Sequence, residues 1–134
     1  MSYSIWLLRF ENSSPAPMDF DVFEAATAPH VHRREPQHNF LMLCMPDGGE
    51  GDVYAIREPD GTLASVMLTH FSRGAVLDLV AEMAGVLGAA VVLQEGVALV
   101  ADAEQRDHLV PGLRPDALLV TLEGATIQEV IDSL

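Results

Sequence analysis

The stretch from Leu63 to Val92 constrains the fold more than any other, because its hydrophobic period switches from two to about 3.6 and back. Leu63, Ser65, Met67 and Thr69 alternate with Ala64, Val66, Leu68 and His70, which predicts a strand with at least one buried face. Ser72 is placed to cap a helix, its hydroxyl accepting from backbone N–H groups of the first turn. From Gly74 to Leu87, residues Val76, Leu77, Val80, Met83, Ala84 and Leu87 recur at helical spacing, and Gly88 supplies the stop. The stretch specifies a core and carries no chemistry of its own.

The rest of the chain supplies strands for that helix to cover. Tyr3 to Phe10 is apolar or aromatic on both faces, which suits the middle of a sheet. A loop follows at Glu11 to Pro17, then a short helix at Met18 to Ala26 with Asp19 or Asp21 near its start. Thr27 to Gln37 is polar, proline-broken and the most basic segment, so no regular structure is expected there. Three strands are predicted next, at His38 to Met45, Asp52 to Arg57 and Thr62 to Phe71, joined by the glycine-containing turns Pro46–Gly51 and Pro59–Gly61. Ala89–Gln94 and Val97–Ala101 flank Glu95-Gly96 as a further hairpin. A short helix at Ala103–Val110, capped by Asp102, leads to a last strand at Ala117–Leu122. A closing helix at Thr126–Leu134 carries a Thr-x-x-Glu capping box in Thr126 and Glu129. The expected fold is a single α+β domain over residues 1–134, a mainly antiparallel sheet with one principal helix (about 73–88) packed on it and a C-terminal helix.

A chain of 134 residues can bury a sizeable core without a metal or disulfide. Cys44, the single cysteine, lies in the apolar run Phe40–Met45 and reads as an inert core thiol. No apolar run reaches the roughly 18 residues of a membrane span, and the N-terminus lacks signal-peptide order, so a cytoplasmic protein is expected. Twenty acidic residues oppose seven basic ones, all arginine, for a net charge of -13. That field repels nucleic acid and anionic membranes and attracts basic partners.

Several side chains are of types that could carry chemistry, and each also has a structural role open to it. His30, His32 and His38, with His70, could serve a small enzyme or metal protein, since imidazole is a good zinc ligand. Against this, the loop holding them fixes no geometry, and no paired Cys-x-x-Cys or His-Glu-x-x-His motif accompanies them. Ser13, Ser14, Ser65 and Ser72 have no Gly-x-Ser-x-Gly context, and turn or cap roles explain three of them. The glycines at 48, 49 and 51 lack the Lys and Ser/Thr of a phosphate cradle. The expectation is therefore no enzymatic activity, no cofactor and no metal. His70, at the junction of strand and helix, is the one residue placed to project into a cleft.

The acids cluster on predicted turns: Asp47, Glu50 and Asp52 at one, Glu58 and Asp60 at the next, and Asp102, Glu104 and Asp107 at the late short helix. If these turns share one side of the sheet, they form an acidic face that binds a basic protein. With the strand at Ser2–Phe10, these acidic turns and the lack of catalytic signatures, the chain resembles in overall character the small acidic immunity proteins of bacterial toxin systems. The resemblance implies a cytoplasmic, single-domain α+β protein that binds and blocks a cognate toxin. A nuclease is one such toxin, its basic site accepting acids in place of phosphates. A self-associating scaffold, forming a homodimer through apolar strands, is the remaining expectation.

Overall fold

The computed structural model describes residues 3–134, so Ser2 of the terminal stretch lies outside the described residues. Their strands form one sheet in the order β3 (Val31–Glu35), β4 (Phe40–Cys44), β5 (Glu50–Arg57), β6 (Leu63–Thr69), β1 (Ser4–Glu11), β7 (Ala90–Leu93), β8 (Ala98–Val100) and β9 (Leu118–Leu119). A short β2 (Ser14–Ala16) folds back on the end of β1. Every pairing is antiparallel except β8 with β9, so the α+β class and the antiparallel sheet read from the sequence are both present. β1 lies inside the sheet as its two-faced pattern requires, with Ile5 opposite both Leu68 and Leu93 and Leu7 opposite both Val66 and Val91.

One face of the sheet holds the main core. Ile5, Leu7, Leu41, Leu43, Val53, Val66 and Leu68 point toward α2 (Ala75–Leu87), which contributes Val76, Leu77, Val80, Met83, Ala84 and Leu87. Beside it lie α1 (Phe20–Thr27), anchored by the fully buried Phe23, and α4 (Gly124–Ser133), anchored by Ile127. α4 crosses α2 so closely that a Cβ on Gly124 would stand 2.6 Å from the Asp78 backbone nitrogen and 2.9 Å from the Leu77 carbonyl carbon. On the opposite face, Leu109, Leu113 and Ala117 cover only the half formed by β1, β7 and β8, packing on Trp6, Leu8, Val92, Ala98 and Val100.

Five local expectations are corrected. The cap of α2 is not Ser72: the helix begins after Gly74, and Asp47 reaches across from the β4–β5 turn to accept from the Ala75 backbone N–H at 3.0 Å. Ser72 instead holds Glu50, its hydroxyl accepting from the Glu50 N–H and its own N–H donating to the Glu50 carbonyl. Residues 31–35 are a strand, because an edge strand needs a partner on one side only and tolerates the exposed charges of Arg33 and Arg34. α4 starts at Gly124, two residues ahead of Thr126, where it packs on α2. The last strand shrinks to two residues beside β8. Cys44 is half-buried rather than core, because strand alternation turns it outward while Leu43 and Met45 point in. Asp102 caps α3 (Ala103–His108) as expected, accepting from Gln105; of Asp19 and Asp21, the acids expected near the start of α1, Asp19 is the cap, accepting from Val22; and Gly88 ends α2 with φ of 66°.

Candidate functional site

The uncovered half of the sheet is the principal surface feature. Strand register aligns one unbroken row across it: Glu35 opposite Phe40, Phe40 opposite Tyr54, Tyr54 opposite Met67, Met67 opposite Trp6, and Trp6 opposite Val92. Directly opposed residues of an antiparallel pair share a face, so Phe40, Tyr54, Met67 and Trp6 form a continuous aromatic and thioether band. The Phe40 and Tyr54 rings stand 5.2 Å apart, and the Arg33 guanidinium lies 5.4 Å over Phe40 while pairing with Glu35 at 3.1 Å. A neighbouring row carries Arg33, Met42, Asp52, Thr69 and Ser4, and Ile56, 43% exposed, borders the band on its other side. Met42, Tyr54 and Met67 are half-buried and belong to neither core. From β3 to β1 the surface is about 19 Å wide, room for a helix of about 10–12 Å with its flanks.

The eight acids predicted as partner contacts do not form one face. Asp47, Glu50 and Asp52 lie at the start of β5, whereas Glu58 and Asp60 follow its end, about 24 Å away. Because β5, β6, β1, β7 and β8 alternate in direction, α3 with Asp102, Glu104 and Asp107 falls at the same end as Glu58 and Asp60, but about 19 Å across the sheet. Several of these carboxylates have work inside the fold. Asp47 accepts from Ala75 and Gly49, and those two backbone N–H bonds hold its carboxyl below the ordinary range. Asp60 is likewise lowered, first by the Thr62 hydroxyl at 2.6 Å and then by the Thr62 N–H. Asp52 faces the open sheet and sits 3.3 Å from His70 Nδ1.

The histidines are dispersed. His30 and His38 occupy single turns of 3₁₀ helix on either side of β3, and His32 lies on that strand. Among the described residues, no group of three or more His, Cys, Asp or Glu side chains is arranged to hold a metal. His70 adopts a left-handed backbone with φ of 48° and stands with Tyr3, Phe71 and Arg73 around an open hollow of about 320 Å³. His108 is tied into the fold, its Nδ1 accepting from the Asn12 N–H at 3.0 Å, which places its proton on Nε2.

The band of Phe40, Tyr54, Met67 and Trp6 escapes sequence reading because β1, β4, β5 and β6 are apolar on both sides. Such strands announce burial without saying which face is covered. The one available signal is that the chain contains too few helices to cover both faces of so wide a sheet. No protein-family model, curated protein or solved structure matches the chain.

Proposed function

We propose that this chain is a protein-binding module that seats a basic partner on the open face of its sheet, and that it serves as an immunity protein neutralising a bacterial toxin. The observation that carries the proposal is the group of half-buried side chains Met42, Tyr54 and Met67, which lie on the half of the sheet beyond the cover of Leu109, Leu113 and Ala117, between the buried Phe40 and the partly covered Trp6. Contiguous exposed apolar surface marks interaction sites on soluble proteins, and aromatic residues and methionine are enriched where interfaces concentrate their binding energy. The net charge of -13 speeds approach of a basic protein and opposes that of a second copy. In this reading the acidic turns steer the partner at a distance and the sheet face holds it. A toxin that cleaves nucleic acid fits the charge, because its active site is built to attract anions.

The test is co-expression with the product of a neighbouring gene, followed by co-purification and a growth-protection assay. Met67→Arg abolishes complex formation and protection while leaving the melting temperature within a few degrees of the parent. Retained binding in Met67→Arg and Trp6→Ala, with loss in a Glu58, Glu104 and Asp107 charge-removal variant, transfers the site to the acidic end. Absence of any bound neighbour and of protection removes the immunity reading.

A further inference from the structure

A second site lies beside α1 at the outer strands, away from Met67 and sharing only Phe40 with the band. α1 spans only eight residues and leans on α2, leaving a cavity of about 210 Å³ over the outer strands. Leu41 and Ala55 floor it, and Phe20 and Phe23 form one wall, their ring centroids 6.0 Å apart. Arg34 and Arg57 stand at its lip. Arg34 is matched by Glu24 at 2.9 Å. Arg57 has no carboxylate within ion-pair distance among the described residues, although acidic residues outnumber arginines twenty to seven along the chain.

Arg57 is also held in place. Its guanidinium lies 3.7 Å from the centre of the Phe20 ring, and its Nε and Nη2 both donate to the Gly61 carbonyl. Those contacts fix the plane of the group and leave Nη1 without a protein acceptor among the described residues. Asp19, Asp21 and Asp60 border a different hollow, which shares Phe20 and Arg57 with this cavity, and none of the three comes within ion-pair distance of Arg57. An immobilised guanidinium with donors to spare, beside an apolar cavity, is complementary to a carboxylate joined to a small apolar body.

We infer that this cavity is a binding site for a small apolar monocarboxylate, with an aromatic or branched body against Phe20, Phe23 and Leu41 and its carboxylate on Arg57. The volume is below the roughly 300 Å³ of ordinary ligand pockets, which limits the body to about one ring. The site is independent of the partner-binding reading, so either stands if the other fails.

Phenylacetate is a direct probe, with phenylacetamide as its uncharged counterpart. Titration of the intact protein by amide-resolved NMR gives saturable shifts at Phe20, Leu41, Ala55 and Arg57, with a Kd of about 1 mM or tighter. Phenylacetamide binds roughly tenfold more weakly, the expected value of a hydrogen bond to a charged group, and this comparison needs no variant. Arg57→Gln removes the preference for the acid over the amide, and Ala55→Leu, which fills the floor, abolishes the shifts. Equal affinity for acid and amide, shifts confined to other residues, or no saturable response at about 10 mM overturns the inference.

Discussion

Two glycines in packed helices make opposite demands, and replacing each by alanine tests the helix layer directly. At Gly124 a Cβ would collide with Asp78 Oδ1 and stand 2.6 Å from the Asp78 nitrogen and 2.9 Å from the Leu77 carbonyl carbon. The carboxylate oxygen can swing aside; the two backbone atoms belong to α2 and cannot. Restoring contacts of about 3.5 Å requires α4 to retreat by most of an ångström, and a gap of that size forfeits a quarter to a half of the dispersion energy along the seam that Ile127 fills. Overpacking of this kind costs about 1–3 kcal/mol. At Gly85, on the exposed side of α2, a Cβ meets nothing within 4 Å. Alanine there gains about 0.5–1 kcal/mol from helix propensity. Both changes stiffen the unfolded chain alike, so the difference between them reports the native state alone. With an unfolding entropy of about 2.1 cal/mol/K per residue, 134 residues give about 3–4 °C per kcal/mol. Thermal denaturation followed by circular dichroism is therefore expected to show Gly124→Ala melting about 4–11 °C below the parent and Gly85→Ala about 2–4 °C above it. A Gly124→Ala variant as stable as the parent refutes the close crossing of α2 and α4.

Two further outcomes follow from the titrating groups. Asp47→Ala lowers the urea midpoint at neutral pH, because α2 loses its cap from the β4–β5 turn. The two backbone N–H donors hold the folded carboxyl below the ordinary aspartate range, so its contribution is complete above that range and is lost as the pH falls through the lowered folded value. The gap between variant and parent accordingly narrows in strong acid, and a gap independent of pH contradicts the capping role. Tyr3 is pushed above the ordinary phenol range by burial and then by its 2.5 Å bond to Glu95, so Glu95→Gln brings its ultraviolet titration down in pH. An unchanged Tyr3 titration in that variant removes Glu95 as a cause.

What the sequence discloses depends on whether the deciding interaction is local. Asp102 is legible as a cap because it acts on an N–H three residues ahead; Asp19, which acts the same way, is legible only as one of two acids near the start of its helix. Gly88 was legible because the αL conformation at a helix end selects glycine. The α2 cap was not, since Asp47 stands 28 residues before the N–H it accepts from and a local candidate, Ser72, satisfied the same pattern. Val31–Glu35 was missed because an edge strand exposed on both sides has no hydrophobic period. Thr126 and Glu129 offered a capping box, yet the helix begins two residues earlier, where Gly124 admits the backbone of α2. For the site, the acids could be counted but their placement at opposite ends of the sheet required the strand directions. The Phe40 to Trp6 band required the register and the knowledge of which face the helices left bare.

The central position of β1 has a consequence for how the chain is made. Its edges are completed by Leu63–Thr69 on one side and Ala90–Leu93 on the other, so this strand waits for segments that leave the ribosome much later than it does. Until residue 93 has emerged, Ile5, Trp6 and Leu7 lack one of their two neighbours and their apolar side chains stand open to other nascent chains. The strands from β3 to β6 form a local meander that can assemble first, with the N-terminal strand added along the edge of β6 and sealed by β7. The strand at the centre of the sheet is thus the last to gain both of its neighbours.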